Sequence, residues 1–140
     1  MRASILAIAM LLSLGRAGAA QQTTIKQVPI QPTSWASGQQ MYHEYCAACH
    51  GVKADGLGPA AAACTIKPAE LKTLAKRSGG KFPYDHFYAV LQFGALMPAH
   101  GSADMPIWLP VFASLNEGHG AIAQQRMHNI ATYVASLQSQ

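Results

Sequence analysis

Two cysteines and a histidine in the string Cys46-Ala47-Ala48-Cys49-His50 limit the possible folds of this chain more than any other part of its sequence. Residues three apart lie on one side of a helix, so both thiols can bond to the two vinyl groups of one porphyrin. The imidazole of His50 would then bind the iron as its proximal ligand. This spacing is the attachment signature of a c-type haem. We therefore expect one haem c, with its iron, per chain.

Three other interpretations of the cysteines fit less well. A zinc site needs two further ligands in a matching pair, whereas Cys64 stands alone and the remaining histidines are scattered. A thioredoxin-like redox pair needs a preceding strand, and no segment alternates apolar and polar residues for long enough to predict one. A disulfide across one helical turn would constrain the chain little. For Cys64 itself two roles stay open: a small buried apolar residue, or a reactive or cross-linking thiol.

The first twenty residues have the pattern of a secretory signal peptide. Arg2 gives a positive start, an apolar run covers 5–14, and small residues occupy 17–20. A transmembrane anchor is the alternative, but spanning takes about 20 apolar residues and Arg16 ends the run early. We expect residues 1–20 to be a cleaved signal peptide and the protein to be periplasmic. Anchoring in the inner membrane, facing the periplasm, is the alternative localisation.

Composition and charge exclude several classes of protein. The 140 residues are 50% hydrophobic and 11% charged, which fits one globular domain and excludes a disordered chain. The formal net charge of +4 falls once the two arginines of the signal peptide are removed. No basic stripe is interleaved with aromatic residues, so we expect no nucleic-acid partner. We also expect no membrane span in the mature chain.

Residues 37–140 have the pattern of an all-α domain, which we expect to be a cytochrome c-like helical fold around the haem. Apolar residues three and four apart predict helices at 37–50, 68–78, 84–93 and 121–137. Long loops are predicted at 51–67 and 94–117, and such loops need something to organise them. Residues 21–36 contain no helical period. They predict a flexible N-terminal arm, either a tether or a segment lying on the surface.

The order of several motifs resembles a class I mono-haem cytochrome c, above all the small bacterial periplasmic subgroup with an H-G-x-x-x-M-P-x-W string. These motifs are Cys46-Ala47-Ala48-Cys49-His50-Gly51, Gly56-x-Gly58-Pro59-Ala60, Gly79-Gly80-x-Phe82-Pro83, His100-Gly101-x-x-Asp104-Met105-Pro106-x-Trp108 and Tyr133-Val134-x-x-Leu137. The resemblance implies a helical fold wrapped around haem and single-electron transfer between proteins. It also implies that the first helix closely approaches the last at Gly38 and Tyr42, although Gly38 also fits an ordinary helix start.

The second axial ligand of the iron has two candidates, Met97 and Met105, each followed by proline. A thioether ligand raises the reduction potential, which suits an electron carrier. The residues alone leave both candidates open, and the resemblance selects Met105. Trp108, two residues after Pro106, is a large ring able to pack against the haem. The resemblance also implies that the Pro59 carbonyl accepts a hydrogen bond from His50 and so orients the ring.

Three functions stay open. We expect a periplasmic single-electron carrier without enzymatic activity, with other redox proteins as partners: a membrane quinol-oxidising complex, a terminal oxidase or a periplasmic dehydrogenase. A haem c subunit of a larger membrane oxidase or dehydrogenase is the alternative, with the arm at 21–36 docking there. A haem enzyme or gas sensor would need an open sixth position on the iron. Five basic residues within 67–81, against one acidic residue, would steer an acidic partner or form an ordinary solvated helix face.

Overall fold

The computed structural model describes residues 29–94 and 105–139. Within these two ranges the fold is all-α, as predicted, and no residue lies in a strand. No helix in the described part of the chain is long and apolar enough to cross a membrane. The predicted signal peptide, Met97 and His100 lie outside the described residues.

The first helix, α1, is continuous from Gly38 to His50, as the sequence predicts. It consists of an α-helical segment, a π-helical segment and a second α-helical segment: Gly38–Met41, Tyr42–Cys46 and Ala47–His50. The side chain of Ser37 caps its start by accepting a hydrogen bond from the backbone N–H of Gln40. Gly51 ends it at a φ of 79°, a conformation that residues with side chains rarely adopt. The π-helical segment, a conformation that is frequent at functional sites, ends at the first cysteine, Cys46.

Two helices form the middle of the chain. They are α2, Leu74–Arg77, which follows a 3₁₀ turn at Leu71–Thr73, and α3, Tyr84–Phe93. The predicted bounds of α3 are confirmed, and Gly94 ends it at a φ of 70°. The helix predicted at 68–78 begins later than expected because Glu70 is extended and the Ala69 carbonyl is bound by the ring of His50. The predicted loop at 51–67 is irregular apart from a 3₁₀ turn at Ala61–Ala63.

The prediction of a loop over the whole of 94–117 is wrong, because this segment holds the helix α4, Trp108–Ser114. Pro106 and Pro110 favour a loop in the sequence. Pro110, however, lies in the first turn of α4, where a backbone N–H would have no acceptor within the helix. Trp108 and Phe112, four residues apart, are both buried on one face.

The last helix, α5, Gly120–Ser136, packs against both α1 and α4. A Cβ placed on Gly38 would overlap the backbone carbonyl of Asn129. The predicted close approach of the two helices at Gly38 is therefore confirmed. Beside it, the rings of Tyr42 and Tyr133 lie with their centroids 5.4 Å apart.

Residues 31–35 of the N-terminal arm lie against the helical domain. The Tyr45 hydroxyl donates to the Gln31 carbonyl at 2.7 Å, and Asn129 Nδ2 donates to the Trp35 carbonyl at 2.8 Å. Between these two residues of the arm, the Thr33 carbonyl accepts a hydrogen bond from Arg126 Nη2 at 3.0 Å. The sequence left open whether the arm is a tether or a segment lying on the surface. Residues 31–35 form a segment on the surface.

The close contact at Gly38 predicts that one added methyl group at this position destabilises the fold. Gly38→Ala forces α1 and α5 apart, and we expect it to lower the free energy of unfolding of the haem-loaded protein by about 1–3 kcal/mol. Gly120→Ala is the matched control, because a Cβ at the start of α5 meets no atom within 4 Å. Denaturant titration of both variants measures the difference. Equal stability of the two variants would contradict the close approach.

Candidate cofactor site

A cavity of about 400 Å³ lies among the helices and brings the predicted ligand residues together. Cys46, Cys49 and His50 reach the cavity from α1. Trp108 reaches it from the start of α4, and Met105 from the residues just before that helix. The other walls are largely apolar and include Phe87, Val90, Leu91, Ile130 and Val134. A volume of this order is typical of a site for a small molecule or cofactor.

The chemistry of these residues fits a c-type haem. Two thiols one helical turn apart, one imidazole and one thioether face an apolar space, which suits a large flat macrocycle with a central metal. Trp108 stacks on Phe112 with ring centroids 5.2 Å apart, and Tyr45 lies 5.8 Å from Trp108. Tyr45 and Trp108 line the cavity, and both rings pack on Phe112. Among residues 29–94 and 105–139, no three His, Cys, Asp or Glu side chains are arranged to hold a metal ion by themselves.

The ring of His50 is oriented by a backbone carbonyl. Its Nδ1 lies 2.9 Å from the carbonyl oxygen of Ala69. Because a carbonyl can only accept a hydrogen bond, Nδ1 carries the proton and Nε2 keeps its lone pair for a metal. Burial lowers the pKa of His50, and the bond to Ala69 partly opposes that shift. The lowered pKa favours the neutral imidazole, which is the form that binds metals.

The predicted hydrogen bond between His50 and the Pro59 carbonyl is wrong, since Ala69 is the partner of Nδ1. Pro59 is exposed, and it is not one of the residues that line the cavity. The residues on either side of it are bonded to the carbonyls at the end of α1, where Ala60 N–H donates to Ala48 at 2.8 Å. Ala69 carries no sequence signal, because its backbone and not its side chain makes the contact.

Two further polar groups beside the cavity, Cys46 and Tyr42, are also held neutral. Burial raises the pKa of the Cys46 thiol to about 12, and the charge of Cys49 adds to the shift. Burial likewise raises the pKa of Tyr42, whose hydroxyl donates to the Gly51 carbonyl at 2.7 Å. Cys46 and Tyr42 therefore meet the cavity in their neutral forms.

Comparison with protein families gives the same result as the geometry. The family described as cytochrome C oxidase, cbb3-type, subunit III matches residues 33–107, which is more than half of the chain. The chain belongs to this family. It is a c-type cytochrome domain with covalently bound haem c, and its role is electron transfer, so the predicted cofactor and the resemblance to a mono-haem cytochrome c are confirmed. A search of curated proteins finds no match to the chain.

One wall of this cytochrome's cavity is tied to the N-terminal arm by a chain of hydrogen bonds. The single proton of the Tyr45 hydroxyl goes to the Gln31 carbonyl, so the Thr33 hydroxyl, 2.8 Å away, donates to Tyr45. The same Thr33 oxygen accepts from Arg126 Nη1 at 3.1 Å. The arm therefore helps to fix the position of a ring that lines the haem cavity.

Arg126, which holds the arm beside Tyr45, was not singled out from the sequence. It is 2% exposed, and among the described residues its Nε has no hydrogen-bond partner. A guanidinium stays protonated in proteins, so this is a buried positive charge. The sequence held a signal for it, because Arg126 lies three residues after Ala123 and four before Ile130, on the buried stripe of α5.

The orientation of His50 predicts a measurable contact. In the reduced, haem-loaded protein we expect the Nδ1 proton of His50 to exchange slowly with water and to show a nuclear Overhauser contact with Ala69, because this proton is held in a 2.9 Å hydrogen bond on a half-buried ring. NMR of a sample labelled with ¹⁵N at histidine measures both. A contact with Pro59 and none with Ala69 would instead restore the bond implied by the family resemblance.

Proposed function

We propose that this protein is an exported single-electron carrier, with its haem bonded to Cys46 and Cys49 and its iron bound by His50 and Met105. The observation that carries the proposal is that all four side chains line one cavity. When bound, the haem supplies a one-electron couple at its iron. A histidine and a methionine ligand together favour the reduced state and so a raised potential.

Each part of the chain has a distinct task in this proposal. The two cysteines keep the haem in place, and the Ala69 carbonyl holds the His50 ring in one orientation. Met105 is partly buried and packs against the core, which supports a closed sixth position on the iron. A closed position favours electron exchange over substrate chemistry, so an enzyme or a gas sensor is the less favoured function.

Positive charge near the cavity supports a protein partner of negative charge. Lys67 and Arg77 are exposed and line the cavity. Lys72 is partly neutralised by Glu70, with 3.3 Å between the charged atoms. Lys76 and Lys81 are also exposed. Charges of one sign around a cleft speed the encounter with an oppositely charged partner, and we propose an acidic redox protein in that role.

A subunit of a membrane oxidase is the second candidate function. The family description names subunit III of a cbb3-type oxidase, and this favours assembly with other oxidase subunits. The arm offers a surface for such assembly, because Trp35 is 49% exposed on it while its backbone carbonyl is held by Asn129. In this case the electron partners of the haem would be neighbouring subunits.

Two measurements on native material separate these functions. A carrier is expected in the periplasmic fraction at the size of the single chain, whereas a subunit is expected in detergent-solubilised membranes at the size of a complex. Size-exclusion chromatography followed at the haem absorbance measures this difference in size.

A closed sixth position on the iron further predicts no ready binding of carbon monoxide at neutral pH. Fast binding would favour a gas sensor or an enzyme over both electron-transfer candidates.

The distal ligand is tested by a matched pair of methionine variants. Met105→Ala removes the thioether, so we expect the methionine–iron charge-transfer band of the oxidised protein to disappear and the midpoint potential to fall. Met97→Ala is the control and should leave both nearly unchanged. Optical spectra and a redox titration of the haem-loaded variants measure the two effects. The reverse pattern would make Met97 the ligand, and equal losses would mean that 97–108 acts as one packed unit.

A further inference from the structure

Arg126 carries a positive charge inside the domain that the proposed function leaves unused. Its side chain is 2% exposed, and among the described residues its Nε has no hydrogen-bond partner. Its Nη1 lies 3.1 Å from the Thr33 hydroxyl oxygen and 3.4 Å from the sulfur of Met41, and its Nη2 lies 3.0 Å from the Thr33 carbonyl oxygen. All of these acceptors are neutral, so they solvate the charge of the guanidinium without cancelling it.

The described part of the chain supplies no counterion to this charge. Within residues 29–94 and 105–139, the salt bridge joins Lys72 to Glu70, and no carboxylate pairs with Arg126. Solvent and salt screen an exposed lysine, but they screen a buried charge much less. Arg126 therefore acts electrostatically over a longer range than the basic residues of the surface.

Two short paths connect Arg126 to the wall of the haem cavity. Along α5, Ile130 follows one helical turn later, is also buried and lines the cavity. Residues four apart on a helix have their Cβ atoms about 6 Å from each other. Across to the arm, the Thr33 hydroxyl that accepts from Arg126 lies 2.8 Å from the hydroxyl of Tyr45, whose ring lines the cavity. Arg126 does not itself line the cavity, so a haem can fill it without displacing these contacts.

We propose that the buried guanidinium of Arg126 is a fixed positive charge that raises the midpoint potential of the haem. The proposal rests on the function proposed above in that the haem in this cavity acts as a one-electron couple. The oxidised iron carries one more positive charge than the reduced iron, so a nearby cation destabilises the oxidised state more. Arg126 thus acts through space in the same direction as a methionine ligand acts through its bond to the iron.

The size of the effect follows from the size of the domain. A domain of about 100 residues has a radius of gyration of about 13 Å. At that distance, and at an effective dielectric constant of about 20, one unit charge changes the ratio of reduced to oxidised haem about tenfold. We expect loss of the Arg126 charge to lower this ratio about three- to tenfold at a fixed ambient potential.

Two neutral variants of Arg126 test the proposal in the haem-loaded full chain. Arg126→Gln keeps a polar side chain and Arg126→Met an apolar one, and both remove the charge, so we expect both to lower the midpoint potential by a similar amount. Spectroelectrochemical titration at pH 7 in about 1 M sodium chloride measures it, because this salt screens exposed charges. Lys53→Gln removes a charge from an exposed side chain and is the matched control, which should leave the potential nearly unchanged.

A second pair of variants changes the charge without cutting the Arg126 side chain. Thr33→Asp places a carboxylate where the Thr33 hydroxyl accepts from Arg126, so the two charges cancel and the midpoint potential should fall. Thr33→Asn has nearly the same shape without the charge and should leave the potential close to that of the unchanged chain. This pair decides the question if the Arg126 variants do not load haem.

The outcomes that would overturn the proposal are specific. They are an unchanged or raised potential in Arg126→Gln, a fall in Arg126→Gln that Arg126→Met does not share, or equal potentials in the two Thr33 variants. The methionine–iron band of the oxidised protein is recorded in the same samples. An unchanged potential with this band present would overturn the role of Arg126 and leave the proposed carrier function standing. Absence of the band from the unchanged chain would instead count against the proposed ligation by Met105.

Discussion

The close contact between α1 and α5 at Gly38 fixes the position of everything else in the site. With no side chain between Gly38 and the Asn129 carbonyl, the two helices meet at backbone distance. From that point α1 leads directly to Cys46, Cys49 and His50, while α5 supplies Ile130 and Val134 to the same cavity. The geometry of the cofactor site therefore depends on a contact several residues away from it.

A second constraint is that the apolar surfaces of this small domain converge on the haem cavity. Phe87, Leu91 and Trp108 belong to the buried core and also line that cavity. A small domain usually needs a cofactor or a cross-link to complete its core. A covalently held haem in this cavity would meet this need, since it would add a large apolar body at the point where the helices converge and could not dissociate.

The N-terminal arm belongs to the same unit. Arg126 is a buried cation on α5 that donates hydrogen bonds to the hydroxyl and the carbonyl of Thr33. The Thr33 hydroxyl in turn bonds to Tyr45 at the cavity wall. A buried cation loses hydration, and bonds to a carbonyl and a hydroxyl only partly replace it. This arrangement favours the position that residues 31–35 of the arm take, because Arg126 loses both of its oxygen acceptors on Thr33 if that segment leaves.

The sequence predicted the parts of this site that depend on side-chain identity. The Cys46–His50 string indicated the cofactor, and the apolar spacing before Gly94 gave the bounds of α3. The whole of α4 was missed, because it lies within the loop predicted at 94–117. Pro110 lies in its first turn, where a proline is compatible with a helix. Ala69 was missed because a backbone carbonyl leaves no pattern in a sequence.

The contact between the sulfur atoms of Cys49 and Cys64, which lie 4.0 Å apart, depends on tertiary structure in the same way. Fifteen residues separate the two cysteines, and no periodicity links them. The contact arises because Gly58 and Ala60 bond to the last carbonyls of α1. Those two bonds also explain why Pro59 lies away from His50, so one loop accounts both for the failed prediction and for the position of the third thiol.

Peptide mapping of the haem-loaded protein isolated from cells tests the central claim most directly. After acid–acetone extraction, haem should stay on the chain, and mass spectrometry should find it on the tryptic peptide that ends at Lys53, bonded to both Cys46 and Cys49. Cys64 should be recovered as a thiol on the next peptide. Release of the haem into the solvent, or its attachment through Cys64, would contradict the account.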